Sequence, residues 1–297
     1  MEIESTRYEK LKKRFDCLHE TFDYATRIDN DPVKFVRGFS SPADIEVAGL
    51  LSSCLAYGRV ELIIRALSGL FERMGESPSD FAKKLNSSGE SCFDGFRYRL
   101  WNADDIRTLL WSAGKVQNIW GTLENLFMEE YSGFKEEQGG FLRFRNGLEH
   151  FSKTFLSIAE ESPFTERKNF SRFFPFPSKG SACKRLCLFT RWMVRPEPVD
   201  LGIWKKVNTA HLVIPVDAHI SRIGKYLGLT RRKSPSWKMA VEITESLKKL
   251  DSEDPLRYDF LICHMGISGE WKNALETLFS PRSHGAHEEK DGERIME

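Results

Sequence analysis

Over residues 45–57 apolar side chains return at helical spacing (Ile45, Ala48, Leu51, Leu55), and over 60–74 they do so again (Ile63, Leu67, Leu70, Met74). A stripe with this period is buried only by packing a helix against its neighbours, so it narrows the fold before any other feature does. Ser41-Pro42 marks the start of the first segment, and Gly75 with Pro78 beyond it stops the second. The same reading predicts helices near 104–115, 116–129, 141–160, 183–194, 218–227, 237–250 and 255–265. No stretch alternates apolar and polar residues between hairpin turns, as a half-buried strand would. The expected class is all-α.

Composition then bounds what such a helical chain can be. Its 297 residues suffice for one large domain or two lobes of roughly 100–150 residues each. With 40% hydrophobic and 29% charged residues it resembles a globular protein, and no apolar run approaches the roughly 18 residues of a membrane span. Residues 1–30 carry mixed charge and do not read as a secretory signal. A cytoplasmic protein with no membrane partner is expected. Cys17, Cys54, Cys92, Cys183, Cys187 and Cys263 include no Cys-x-x-Cys pair, so reduced, buried thiols are expected, with no metal and no cofactor.

The net charge of +1 hides an asymmetry. Residues 172–249 hold sixteen Lys or Arg against five acids, a net of +11, which leaves −10 for the rest. Such a distribution points to a half that faces a polyanion, the alternative being an ordinary solvated face. Two stretches read as irregular. Residues 131–140 carry three glycines and two acids, as a surface loop would. Residues 162–178 hold Phe164, Phe170, Phe173, Phe174 and Phe176 among Arg and Lys; these rings fill the core, or one of them is a wedge for a base stack. From about Ser280 the chain is Ser, Gly, His and charge, a tail (280–297) expected to be disordered.

Chemistry concentrates in the run from Ile214 to Ile223, Ile-Pro-Val-Asp-Ala-His-Ile-Ser-Arg-Ile. Asp217 stands after a proline and before an apolar-periodic segment, where a helix N-cap belongs. There its carboxylate bonds free N–H groups and meets the positive end of the helix dipole, which keeps it ionised. Upstream, the turn Ser178-Lys179-Gly180-Ser181 runs into an apolar helix with Lys184 and Arg185 near its start. Glycine lets a phosphate approach the backbone, and Lys179, Lys184 and Arg185 add mobile positive charge, which is equipment for gripping a nucleic-acid backbone. A lysine in a partly desolvated cleft can also act as an amine nucleophile. Attack on an anomeric carbon would displace a base that has left the stack. The bland alternatives are an ordinary cap for Asp217 and a solvated lysine for Lys184.

These residues resemble the helix-hairpin-helix DNA glycosylase superfamily (HhH-GPD), the clan of endonuclease III and the 8-oxoguanine glycosylases. Leu50-Leu51-Ser52-Ser53-Cys54 is similar to an early buried helix, Pro177 to Phe189 to the hairpin and lysine helix, and Val216-Asp217-Ala218-His219 to the signature holding the catalytic aspartate. Tyr258-Asp259-Phe260 to His264 resembles the late helix carrying an aromatic. The resemblance covers about residues 31–269, and the whole chain also resembles a bacterial family known only as a domain of unknown function. The hairpin has no clean Gly-x-Gly, which leaves Lys179 as an alternative to Lys184, and Ile262 stands where 8-oxoguanine enzymes carry glutamine.

The resemblance implies a two-lobed helical HhH-GPD-type fold, one lobe over 31–195 and the other joining 1–30 to 200–279, with a DNA-binding cleft between them. It implies a monomeric, nucleoid-associated base-excision repair glycosylase with AP (β-) lyase activity on double-stranded DNA containing a damaged base. Lys184 would form the Schiff base and Asp217 would assist it. Ser178, Lys179, Gly180, Ser181 and Arg185 would hold DNA phosphates, and Cys54, His219, Phe260 and His264 would line the base pocket. The alternatives are a non-catalytic nucleic-acid-binding protein of the same fold and an enzyme acting on modified RNA or nucleosides.

Overall fold

The computed structural model describes residues 2–86, 91–133, 139–196 and 198–276. The first half runs α1 (Glu2–Glu20), α2 (Tyr24–Asp29), α3 (Val33–Val36), α4 (Pro42–Leu55), α5 (Val60–Met74), α6 (Pro78–Lys84), α7 (Ala103–Trp120) and α8 (Leu123–Tyr131). The second runs α9 (Gly140–Glu160), α10 (Lys184–Val194), α11 (Ala218–Tyr226), α12 (Trp237–Lys248), α13 (Asp259–Ser268) and α14 (Trp271–Glu276). Helix accounts for 65% of the described residues and strand for 2%, so the class is all-α as the periodicity requires. The expected tail at 280–297 lies outside the described residues. No helix among those described is long and apolar enough to cross a membrane.

Helix α4 is the hub, with α3, α6, α7 and α10 packed around it. Every residue from Asp44 to Leu55 is buried, because Ala48, Gly49, Ser52 and Ser53 let neighbours close on the sides that a surface helix leaves polar. Glu46 is therefore internal, and its carboxylate accepts from the free N–H groups of Leu123 and Glu124 at the start of α8 and from Trp204 Nε1. Burial pushes this carboxyl up, against the pull of those donors. By contrast α5 buries Ile63, Leu67, Leu70 and Met74, the stripe read from sequence, and keeps its other face wet.

The helix break expected between Lys115 and Val116 is absent. Helix α7 starts at an Asn102–Asp105 capping box and runs on to Gly121, whose φ of 80° ends it before Thr122 caps α8. Midway along α7, Gly114 meets the backbone of α6: an added Cβ would stand 2.4 Å from the Ala82 carbonyl oxygen. Gly114→Ala should accordingly cost about 1–3 kcal/mol through overpacking, read as a lower urea midpoint with unchanged m.

The described residues include one feature with no counterpart in the sequence reading, a two-residue antiparallel pair, β1 (Arg97–Tyr98) with β2 (Trp101–Asn102). Strands this short have no alternation to detect, and Arg99 at φ 57° carries the turn. The phenylalanine-rich stretch packs inward: Phe164, Phe170, Phe173 and Phe174 are at most 4% exposed, and Phe176 is half-buried. None of the four buried rings can serve as a wedge. At the other end of the chain, α1 returns to the last helices. Arg14 Nε donates to Ala274 O at 2.8 Å, the Tyr258 hydroxyl donates to Asp16, and Arg7 donates to Leu227 O. The apolar core is continuous from Leu11 to Leu275.

Candidate active site

Asp217 is the N-cap of α11. Its Oδ1 accepts from the N–H groups of His219 at 2.9 Å and Ile220 at 2.8 Å, which fixes the carboxylate, while Oδ2 accepts from the Cys263 thiol at 3.7 Å. Lys184, the first residue of α10, brings its Nζ to 3.7 Å from that Oδ2. The two belong to different helices 33 residues apart, yet both line one cavity of about 630 Å³. The Lys184 side chain is 35% exposed and that of Asp217 16%, so the amine is reachable and the carboxylate sheltered. The alternative lysine is elsewhere: Lys179 lies exposed on a 3-10 turn with its Nζ over the Phe176 ring.

Phe260 and His264 of α13 form another wall, with ring centroids 4.1 Å apart, and His219 lines the cavity near them. Cys54 does not reach it. That thiol is completely buried, which pushes it up to about 12. Arg185 also departs from the sequence expectation: it folds back, donating to the carbonyls of Cys54 and Arg172 and lying 4.9 Å over the Trp101 ring. Burial beside these groups lowers its pKa, and it is a brace between helices rather than a free phosphate contact. In the turn before α10, the N–H groups of Ser178, Lys179 and Gly180 already donate to Glu149, Phe176 O and Pro177 O. An anion there would be met by the side chains of Lys179 and Ser181, not by those amides.

Sequence reasoning missed the cavity's charged wall. Arg191 and Asp259 line it, and Asp31 stands 3.4 Å from His264 Nε2. Arg191, 3% exposed, is held between Asp200 at 2.9 Å and Asp259, while Arg195 spans Asp200 at 2.6 Å and Asp254 at 2.7 Å. Burial opposes the Arg191 charge, but the carboxylates of Asp200 and Asp259 outweigh it and raise the guanidinium pKa. Burial likewise pushes the Asp259 carboxyl up, against the pull of Arg191. Asp259 Oδ1 accepts no hydrogen bond within the protein. One signal was present: Arg191 interrupts the apolar run Leu186 to Val194, where a cation needs an internal partner. Among the described residues no three His, Cys, Asp or Glu side chains group as a metal site.

The dual position of Asp217 yields a clean separation of effects. Asp217→Asn keeps a side-chain acceptor for the cap, so its melting temperature should stay close to that of the unaltered protein. Asp217→Ala should cost about 1 kcal/mol as the cap is lost. Thermal melts of the pair check this.

No curated protein matches the chain. No solved structure matches it either. The family model described as "Protein of unknown function (DUF2400)" matches residues 31–268, which takes in α3 to α13 and every residue of the cavity wall named above. On that match over most of its length, the chain belongs to the DUF2400 family.

Proposed function

We propose that this protein is a DNA base-excision glycosylase with AP lyase activity. The observation that carries the reading is the Lys184–Asp217 pair, an accessible amine 3.7 Å from a capped carboxylate in a cavity of about 630 Å³. That volume falls in the roughly 300–1,000 Å³ range of small-ligand pockets and suits a flipped nucleotide base. In this reading the Lys184 amine, once deprotonated, bonds to the anomeric carbon as the bond from that carbon to the base breaks. The sugar ring then opens to a Schiff base, and loss of a proton from the adjacent carbon expels the 3′-phosphate. Asp217 stabilises positive charge on the sugar and serves in proton transfer. Phe260 and His264 supply rings for the base to pack on.

A two-lobed arrangement, with 31–195 as one lobe and 1–30 plus 200–279 as the other, is part of the proposal. Its support is the cavity lining, drawn from Asp31, Ala56 and Arg59 in one stretch and from Asp217, His219 and Phe260 in the other. The bonds from α1 to Leu227, Tyr258 and Ala274 support joining the first helix to the second lobe. Lys179 and Ser181, with the exposed Gly180 turn between them, form the reduced phosphate grip.

The test is borohydride trapping on duplexes carrying 8-oxoguanine, uracil, an oxidised pyrimidine or an abasic site. A covalent adduct is expected on at least the abasic duplex, and the base-bearing duplex that also traps names the lesion. No adduct on any of them, with no base released, would overturn the reading.

A further inference from the structure

With the phenylalanines of 162–178 turned inward, the ring that stands free beside the cavity is Tyr57, 53% exposed. It lies between α4 and α5, next to Ala56, Gly58 and Arg59, which line the cavity. Its perch is rigid. The Tyr98 hydroxyl donates to the Tyr57 carbonyl at 2.8 Å, and Gly58 turns the chain at φ +121°, where a Cβ would strike the Arg99 guanidinium. Arg99 lies 5.3 Å over the Tyr57 ring, and Trp101 meets that ring edge-on at 6.2 Å. Trp101 is in turn stacked on Phe173 at 4.8 Å, with Arg185, the neighbour of Lys184, over its face. A ring this exposed, on a support this fixed, is available to a partner outside the protein.

What lies beside it narrows the choice. A second groove of about 470 Å³ is lined by the exposed Arg65, Arg73, Arg97 and Arg99, and the acid in it, Asp94, is ion-paired with Arg107. These arginines come from α5 and the hairpin, outside the basic 172–249 stretch. A cationic groove continuous with a rigid aromatic at a cavity rim fits a duplex whose base has been extruded. The ring replaces the lost stacking partner and the arginines meet the phosphates.

We propose that Tyr57 is the wedge that enters the duplex where the target nucleotide leaves it, with Arg65, Arg97 and Arg99 holding the backbone alongside. The proposal rests on the base-excision reading for the identity of its partner, but its test does not need chemistry. The probe is a duplex containing a tetrahydrofuran abasic analogue flanked by 2-aminopurine. Binding is followed by anisotropy and stacking by 2-aminopurine fluorescence.

The unaltered protein and Tyr57→Phe should quench the fluorescence on binding. Tyr57→Ala should lose the quench and bind about tenfold more weakly, within what a base–aromatic stack supplies. Arg65→Ala/Arg97→Ala should lower the slope of log affinity against log salt by about 1.8. An equal quench from Tyr57→Ala, or none from the unaltered protein when bound, overturns the wedge; an unchanged salt slope overturns the arginine track. Quenching with neither a trapped adduct nor a released base would sink the glycosylase reading and leave the wedge standing, whereas trapping without quenching does the reverse. Absence of binding to any duplex ends both.

Discussion

Lys184→Gln is expected to form no borohydride-stable adduct on any duplex while binding DNA nearly as the unaltered protein does. Glutamine keeps a polar side chain, one atom shorter, and removes both the charge and the nucleophile. Structure should survive the change, because the lysine is 35% exposed and its ion pair with Asp217 spans a long 3.7 Å. Asp217→Asn should leave the adduct detectable but slow its formation by about 10²–10³-fold, the scale of losing a placed electrostatic group. Rates of adduct formation from a single-turnover trapping series check both. An adduct retained in Lys184→Gln would move the nucleophile to another amine, and Lys179→Gln would then be the variant to follow.

The largest stability effect should come from Arg191→Met. Methionine fills similar space, but it strands Asp259, 2% exposed at its side chain, without its cation, and leaves the fully buried Asp200 to Arg195 alone. Breaking a buried pair in this way costs about 3–5 kcal/mol, on the order of 10 °C in melting temperature for a chain of this size. The deficit should depend on pH. Burial already pushes the Asp259 carboxyl up, and losing Arg191 raises it further. A carboxyl with a raised folded-state pKa holds its proton in the folded form, so its contribution is most favourable below the unfolded value of 3.8 and is lost as pH rises through the folded value. The gap between variant and unaltered protein should thus narrow on acidification and widen towards neutrality. Urea titrations at a series of pH values would show it, and a pH-independent gap would mean that packing, not charge, accounts for the loss.

What the sequence made legible was what neighbours in the chain determine. The cap at Asp217 depends on a proline, an acid and an apolar helix within a few residues, and the structure has it bonded to His219 and Ile220. The stripe of α5 is a local period and needs only a core to face. Less could be read where the deciding partner is remote. The amide of Ser178 was free for a phosphate by local logic, but Glu149, 29 residues earlier, takes it. Arg185 looked like a surface cation until Trp101 and the Cys54 carbonyl drew it inward. Arg191 and Asp259 were not singled out, because a one-dimensional pattern does not say which charges share an interior. The break misjudged at Lys115 is the reverse case: the apolar period runs on through Ala113, Val116 and Trp120, and the true stop, Gly121, is a backbone property.

The return of α1 to the far end of the chain has a consequence for the order in which this molecule is made. Asp16 finds Tyr258 across 242 residues, and Arg14 finds Ala274 across 260. At about 5–20 residues per second, a ribosome needs on the order of ten to fifty seconds to cover that distance. Throughout it Phe15, whose ring meets that of Tyr258 at 5.2 Å in the finished protein, lacks that partner. Helix α1 therefore makes these contacts late, and it makes them with the segment that carries Leu227, Tyr258 and Ala274. Nascent chains stalled before Tyr258 would hold α4 to α10 complete and α1 still waiting.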